Sequence, residues 1–137
     1  MKANELRIRN YIYDDFNEVH RVESIESEDF NEYNGMGEPK VIFSKINGTK
    51  GFYQCDEVSP IPLTEEWLLK FRFNKEGNTI YKELNGFEFG TINTNRSKPR
   101  FYLQTQGSTS NITLPIKYVH QLQNLYFALT GEELTIK

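Results

Sequence analysis

The chain has 137 residues, 37% of them hydrophobic and 26% charged, with a net charge of −3. That is material for one domain with a sizeable core, and 10 Phe, 8 Tyr and 1 Trp make the expected core aromatic-rich. A single cysteine excludes an internal disulfide framework, no stretch is long and apolar enough to span a membrane, and MKANELRIRN lacks the apolar run of a signal peptide, so a soluble cytoplasmic protein is expected.

Charge is unevenly spread. Residues 1–38 carry 4 basic and 10 acidic side chains, against 12 basic and 9 acidic in the remainder. This argues against a broad polyanion-binding surface in the first part and leaves a local basic patch open in the second.

From Leu6 to Ile25 the apolar residues Ile8, Tyr11, Ile12, Tyr13, Val19, Val22 and Ile25 alternate loosely around Asp14-Asp15-Phe16-Asn17. Strand formers on either side of a cluster whose side-chain oxygens can satisfy turn backbone groups predict a hairpin. Glu26–Pro39 is acidic and glycine-punctuated and reads as an exposed loop. A third strand is predicted at Val41–Ile46, ending at the turn dipeptide Asn47-Gly48, and a fourth near Gly51-Phe52-Tyr53. Short strands with tight turns suit a small SH3-like barrel or a meander.

Ser59-Pro60-Ile61-Pro62-Leu63 is held extended by its prolines and leads into a helix at Thr64. Thr64 is placed to cap, Glu65 and Glu66 favour the positive helix end, and Leu63 can staple onto Leu68. Trp67, Leu68 and Phe71 make its apolar face, and Asn74–Asn78 reads as a turn. Thr79–Leu84 and Phe87–Asn93 flank Asn85-Gly86, the pair that most readily adopts a type I′ hairpin turn. Arg100–Gln106 and Asn111–Leu114 supply two more strands.

The last element is a helix over Ile116–Leu134, preceded by Pro115 and broken at Gly131. Tyr118, Val119, Leu122, Leu125, Tyr126 and Leu129 form a stripe with a 3.6-residue period and are assigned to the core. The other face carries Lys117, His120, Gln121, Asn124 and Phe127. If Phe127 is exposed, that face is a surface for a protein partner; if it is buried, the helix is a structural closure.

No catalytic set emerges. His120, read as an exposed histidine, has no Asp or Glu at helical spacing, and two isolated histidines with one cysteine give no zinc spacing, so no metal is expected. Cys55 precedes Asp56 and Glu57, whose charges oppose a thiolate. Glu65/Glu66 and Glu132/Glu133 lie at helix ends, and Gly35-Met36-Gly37 lacks the partners of a phosphate loop. The one constellation with a ligand logic is Arg96, Lys98 and Arg100 beside Phe101 and Tyr102, where cations meet phosphates and aromatic faces stack on bases. A small nucleotide held between aromatic walls would use the same residues.

Two segments carry a resemblance: Pro60-Ile61-Pro62-Leu63-Thr64-Glu65-Glu66-Trp67-Leu68-Leu69-Lys70-Phe71, and Lys117 through Leu134, KYVHQLQNLYFALTGEEL. They resemble a family of uncharacterised proteins found in phages, prophages and mobile elements of Bacteroidota. Lys2 to Ile8 and Asn10-Tyr11 are also similar, with Arg9 where those proteins often have glycine. The resemblance implies a context inside a host cell and brings no activity or site with it.

The expected fold is α+β: a β-rich part over residues 1–60, then an α-β-β-β-β-α part over 61–137 with a four-stranded antiparallel sheet packed by two helices, the whole forming one unit. The expected function is a non-catalytic accessory protein of a phage or mobile element that binds a protein partner, with no cofactor. Nucleic-acid or nucleotide binding, sequestering a host defence signal, is the alternative, and self-association is open.

Overall fold

The computed structural model describes residues 5–27, 39–45, 50–54, 57–77, 79–84, 86–92, 100–105 and 111–136. Its strands are β1 (Tyr11–Tyr13), β2 (Val19–Ser27), β3 (Pro39–Lys45), β4 (Lys50–Gln54), β5 (Asn74–Glu76), β6 (Thr79–Leu84), β7 (Phe87–Ile92), β8 (Arg100–Thr105) and β9 (Asn111–Leu114). Its helices are α1 (Glu65–Lys70) and α2 (Val119–Thr130). The fold is α+β with two antiparallel sheets, ordered β1-β2-β3-β4 and β5-β6-β7-β8-β9. The chain divides into two units, Met1–Ile61 with Tyr118–Asn124 and Pro62–Lys117 with Leu125–Lys137.

In the first unit the hairpin forms where the Asp/Asn cluster stands, with Tyr13 opposite Val19. The four strands follow one another as an open meander, and no pairing among the described residues closes it into a barrel. Leu6, Tyr11, Ile12, Val22, Val58, Ile61, Val119 and Leu122 are buried apolar residues of this unit among those described. β1 is an edge strand, and its outward backbone groups are satisfied without another strand. Tyr13 exchanges two hydrogen bonds with Ser59, both 3.0 Å. The buried Gln123 side chain serves the next positions along, its Oε1 accepting from Tyr11 N at 2.9 Å and its Nε2 donating to Arg9 O at 3.0 Å. Asn10, also buried, accepts from Arg7 N at 2.6 Å and donates to Asn124 Oδ1 at 2.9 Å.

Just before β1 the chain turns at Arg9, whose φ is 76°. This left-handed conformation is routine for glycine and costs other L-residues roughly 1–2 kcal/mol. The Arg9 N–H donates to Val22 O at 2.7 Å while its carbonyl receives Gln123, so both backbone groups are committed.

In the second unit Thr64 caps α1, its Oγ1 accepting from Trp67 N at 3.4 Å, and Trp67 and Leu68 are buried. The helix stops in a Schellman arrangement, with Arg72 at φ 65°, Arg72 N donating to Leu69 O and Phe73 N to Leu68 O, each at 3.0 Å. The four strands expected in this sheet form in order. A fifth, the exposed β5, lies beyond β6 where the polar residues from Asn74 read as a turn; the reversal itself falls at Gly77, with φ 58°. Gly86 takes φ 83° in the β6–β7 turn, as the Asn-Gly pair predicts. Ile80, Phe89, Thr91 and Phe101 are buried on one face of the sheet, where the Phe89 ring lies 5.1 Å from that of Tyr126.

The closing helix is shorter than its periodicity suggests. Lys117 O accepts from Leu63 N and Val119 N donates to Ile61 O, both at 2.9 Å, so the backbone over 117–119 is engaged with the extended proline segment before the helix begins. At the other end Gly131, with φ 74°, donates to Phe127 O at 2.8 Å and terminates it. Val119, Leu122 and Tyr126 of the expected stripe are buried, while Tyr118, Leu125 and Leu129 are half-buried.

Two substitutions test these constraints by denaturant unfolding. Gln123→Leu leaves the buried Tyr11 N–H without its acceptor and is expected to lower stability by about 1–3 kcal/mol. Arg9→Gly relieves the left-handed strain at an exposed side chain. After the extra entropy of an unfolded glycine, it is expected to raise stability by up to about 1 kcal/mol.

Candidate functional site

The β1–β2 turn is built on one carboxylate. Asp14 Oδ1 accepts from Phe16 N at 2.8 Å and Glu18 N at 2.9 Å, and Oδ2 lies 2.8 Å from His20 Nε2. Backbone bonds from Asp14 N to Glu18 O and from Asn17 N to Asp14 O, each 3.1 Å, close the turn, with Asn17 at φ 59°. An aspartate that binds the turn's own N–H groups is the chemistry the Asp/Asn cluster advertises. Its pairing with a histidine six residues on is added by the hairpin, which folds β2 back beside β1.

Asp14 and His20 side chains are only 1% and 2% exposed. Burial alone would push the Asp14 carboxyl up, but the Glu18 N–H, the His20 imidazole and the Phe16 N–H together hold it below the usual carboxylate range. The exposed Glu18 carboxylate completes a group with Asp14 and His20 whose ligand-capable atoms all lie within 4.8 Å of one another. This corrects the reading of His20 as isolated: the spacing Asp-x3-Glu-x-His meets in space only because a turn lies inside it.

At the tip of the turn Phe16 is 78% exposed. It is the most exposed of the large apolar side chains described, and its backbone is fixed by the Asp14 carboxylate.

The residues expected to form a partner surface on the closing helix fare differently. In the first unit His120 is buried, which corrects the expectation of an exposed histidine. Its ring stacks on Tyr118, with centroids 5.9 Å apart and planes at 14°, and its Nδ1 has no hydrogen-bond partner among the described residues. Gln121, half-buried, accepts from Tyr118 N at 3.2 Å. Asn124 receives Arg7 Nε and Asn10 Nδ2 at its Oδ1 and donates to Glu5 O at 3.2 Å, so it holds the N-terminal turn. In the second unit Lys117 is exposed and Phe127 is 38% exposed.

Of the cationic constellation, Arg96 and Lys98 lie outside the described residues, and Arg100 is described only as the first residue of β8. Tyr102 is buried. Its ring crosses Gly90 on the neighbouring strand, where an added Cβ would stand 2.6 Å from ring carbon Cζ. The hydroxyl donates to Glu88 Oε1 at 3.1 Å, and burial with that carboxylate raises its pKa to about 12. Phe101 is buried as well. Neither ring offers a free face to a base, which corrects the expected stacking platform.

Comparison of the chain with protein-family models, with curated proteins and with solved structures returns no match.

The buried imidazole sets a pH dependence. Burial lowers the His120 pKa and the Glu5 charge only partly opposes this, so the folded state resists a proton that the unfolded chain accepts below its ordinary value of about 6.5. The unfolded state therefore binds more protons in that window, and stability falls as pH drops from about 6.5 toward the depressed folded value. Urea titrations at pH 7.5 and 5.5 are expected to show this loss in the natural chain and a smaller one in His120→Leu.

Proposed function

We propose that this chain is a non-catalytic accessory protein of a phage or mobile element that acts by binding a protein partner, with Phe16 as its anchor. The observation that carries the reading is the turn itself. A large aromatic side chain stands 78% exposed on a backbone that a buried carboxylate fastens by two hydrogen bonds. An unneeded apolar group in a loose loop has no such support. A fixed aromatic that need not be ordered on association is the usual form of a dominant interface residue. Ile8, 51% exposed beside the Arg9 turn, is a second apolar contact available on the same unit. The phage or mobile-element context rests on the two helical segments and their resemblance. Nucleotide or nucleic-acid binding is the weaker reading, because Tyr102 and Phe101 are committed to the interior.

Phe16 is open to a direct test. A photo-crosslinking residue at position 16, expressed in the bacterial host, is expected to yield one saturable adduct that excess natural protein competes away. Phe16→Ala should compete at least about 30-fold less well, the loss of a dominant aromatic contact. Its folding stability should stay within about 0.5 kcal/mol of the natural value, as expected for an exposed side chain. Equal competition by Phe16→Ala would remove the turn from the interface.

A further inference from the structure

We propose that Asp14, Glu18 and His20 form a binding site for a divalent transition-metal ion of the zinc class. The proposal goes beyond the partner-binding reading and does not depend on it. One imidazole nitrogen and two carboxylates are the donors that zinc, cobalt(II), manganese(II) and iron(II) accept, and three protein ligands leave positions open for water.

The geometry is close to what an ion needs. Zinc bonds of about 2.0–2.2 Å to nitrogen and oxygen place neighbouring ligand atoms of a tetrahedral site about 3.3 Å apart. His20 Nε2 and Asp14 Oδ2 are now 2.8 Å apart, and the three ligand atoms lie within 4.8 Å of one another. The buried pair would therefore open by about 0.5 Å, while the exposed Glu18 closes on it by side-chain rotation. Asp14 has a further qualification. Its Oδ1 already takes two backbone N–H groups, so Oδ2 can turn to an ion without loosening the turn.

Proton movement accompanies binding. In the hydrogen-bonded state the carboxylate oxygen accepts, so the imidazole proton sits on Nε2. Coordination needs the Nε2 lone pair. That proton leaves Nε2, and the neutral ring carries its one hydrogen on Nδ1.

The test uses the full-length protein freed of metal by chelator. Zinc(II) is titrated calorimetrically at pH 7.5, and cobalt(II) is followed by its visible absorption. Expected are one ion per chain, reversal by chelator, and an affinity lowered at least about tenfold by Glu18→Gln and by His20→Gln. Because His20 is buried and its replacement also perturbs folding, Glu18→Gln and Glu18→Ala carry the decision. Glu18 is exposed, and its bond to Asp14 is made by the backbone N–H. Absence of saturable binding at 100-fold excess of zinc would overturn the proposal. So would an affinity unchanged in both Glu18 variants, or a thiolate-to-cobalt band that assigns the ion to Cys55.

Discussion

Much of the first unit depends on Gln123 meeting the outer edge of β1. An edge strand presents backbone donors and acceptors that water or another strand must satisfy, and burying them bare costs more than most single contacts return. Here a carboxamide supplies one acceptor and one donor, taking Tyr11 N and Arg9 O at 2.9 and 3.0 Å. Ser59 covers the next outward position with two backbone bonds to Tyr13. The short β1 can thus be buried on its edge without joining a larger sheet. Ile12, at the middle of it, is fully buried as a result. The left-handed turn at Arg9 follows from the same constraint, because the chain must present the Arg9 carbonyl to Gln123 while its N–H reaches Val22 O.

The second unit solves a similar problem with a lysine. α1 ends with carbonyls that need partners, and Lys82 Nζ donates to Phe71 O at 3.0 Å from the neighbouring β6. A cation belongs at that end of a helix. The amine passes 5.9 Å from the Phe73 ring and 6.0 Å from the Tyr126 ring, so the helix end, the sheet and the last turns of α2 meet around one charge. Burial is the main reason its pKa falls, and Arg72 adds to this while Glu132 opposes it. The aromatic contacts soften the desolvation that the position imposes.

What could be read from the sequence was what local chemistry decides. Thr64 as a cap, Gly131 as a stop, the Asn-Gly turn and the strands around Asp14 each follow from a residue and its immediate neighbours. Hydropathy periodicity also found Val119, Leu122 and Tyr126. It failed at His120 and Gln123 because it places every polar side chain outside, whereas these are buried and Gln123 bonds a backbone 112 residues away. No helical pattern contains that information. Tyr102 failed for a related reason. On a strand that alternates inward and outward it was free to be a binding surface, but Gly90 on the next strand leaves a space that its ring fills. Arg9 was hidden for a similar reason, since its backbone takes a conformation that glycine favours and an arginine does not advertise.

Asp14 shows what a buried carboxylate adds to a turn. Its carboxylate would be an expensive thing to bury for an ordinary hairpin turn, since the β6–β7 reversal at Gly86 has no buried charge among its described residues. The additional cost is offset by three polar neighbours of the carboxylate: two N–H groups and the imidazole. What this arrangement adds over a simple turn is a longer loop with a fixed backbone. The longer loop has room for Phe16 and Glu18 to project, and the fixed backbone means that neither must be ordered afresh when something binds. A turn needed only for connectivity would use neither property. Under the proposed partner-binding reading, the buried Asp14–His20 pair is the foundation of a recognition loop, with folding and binding drawing on the same carboxylate.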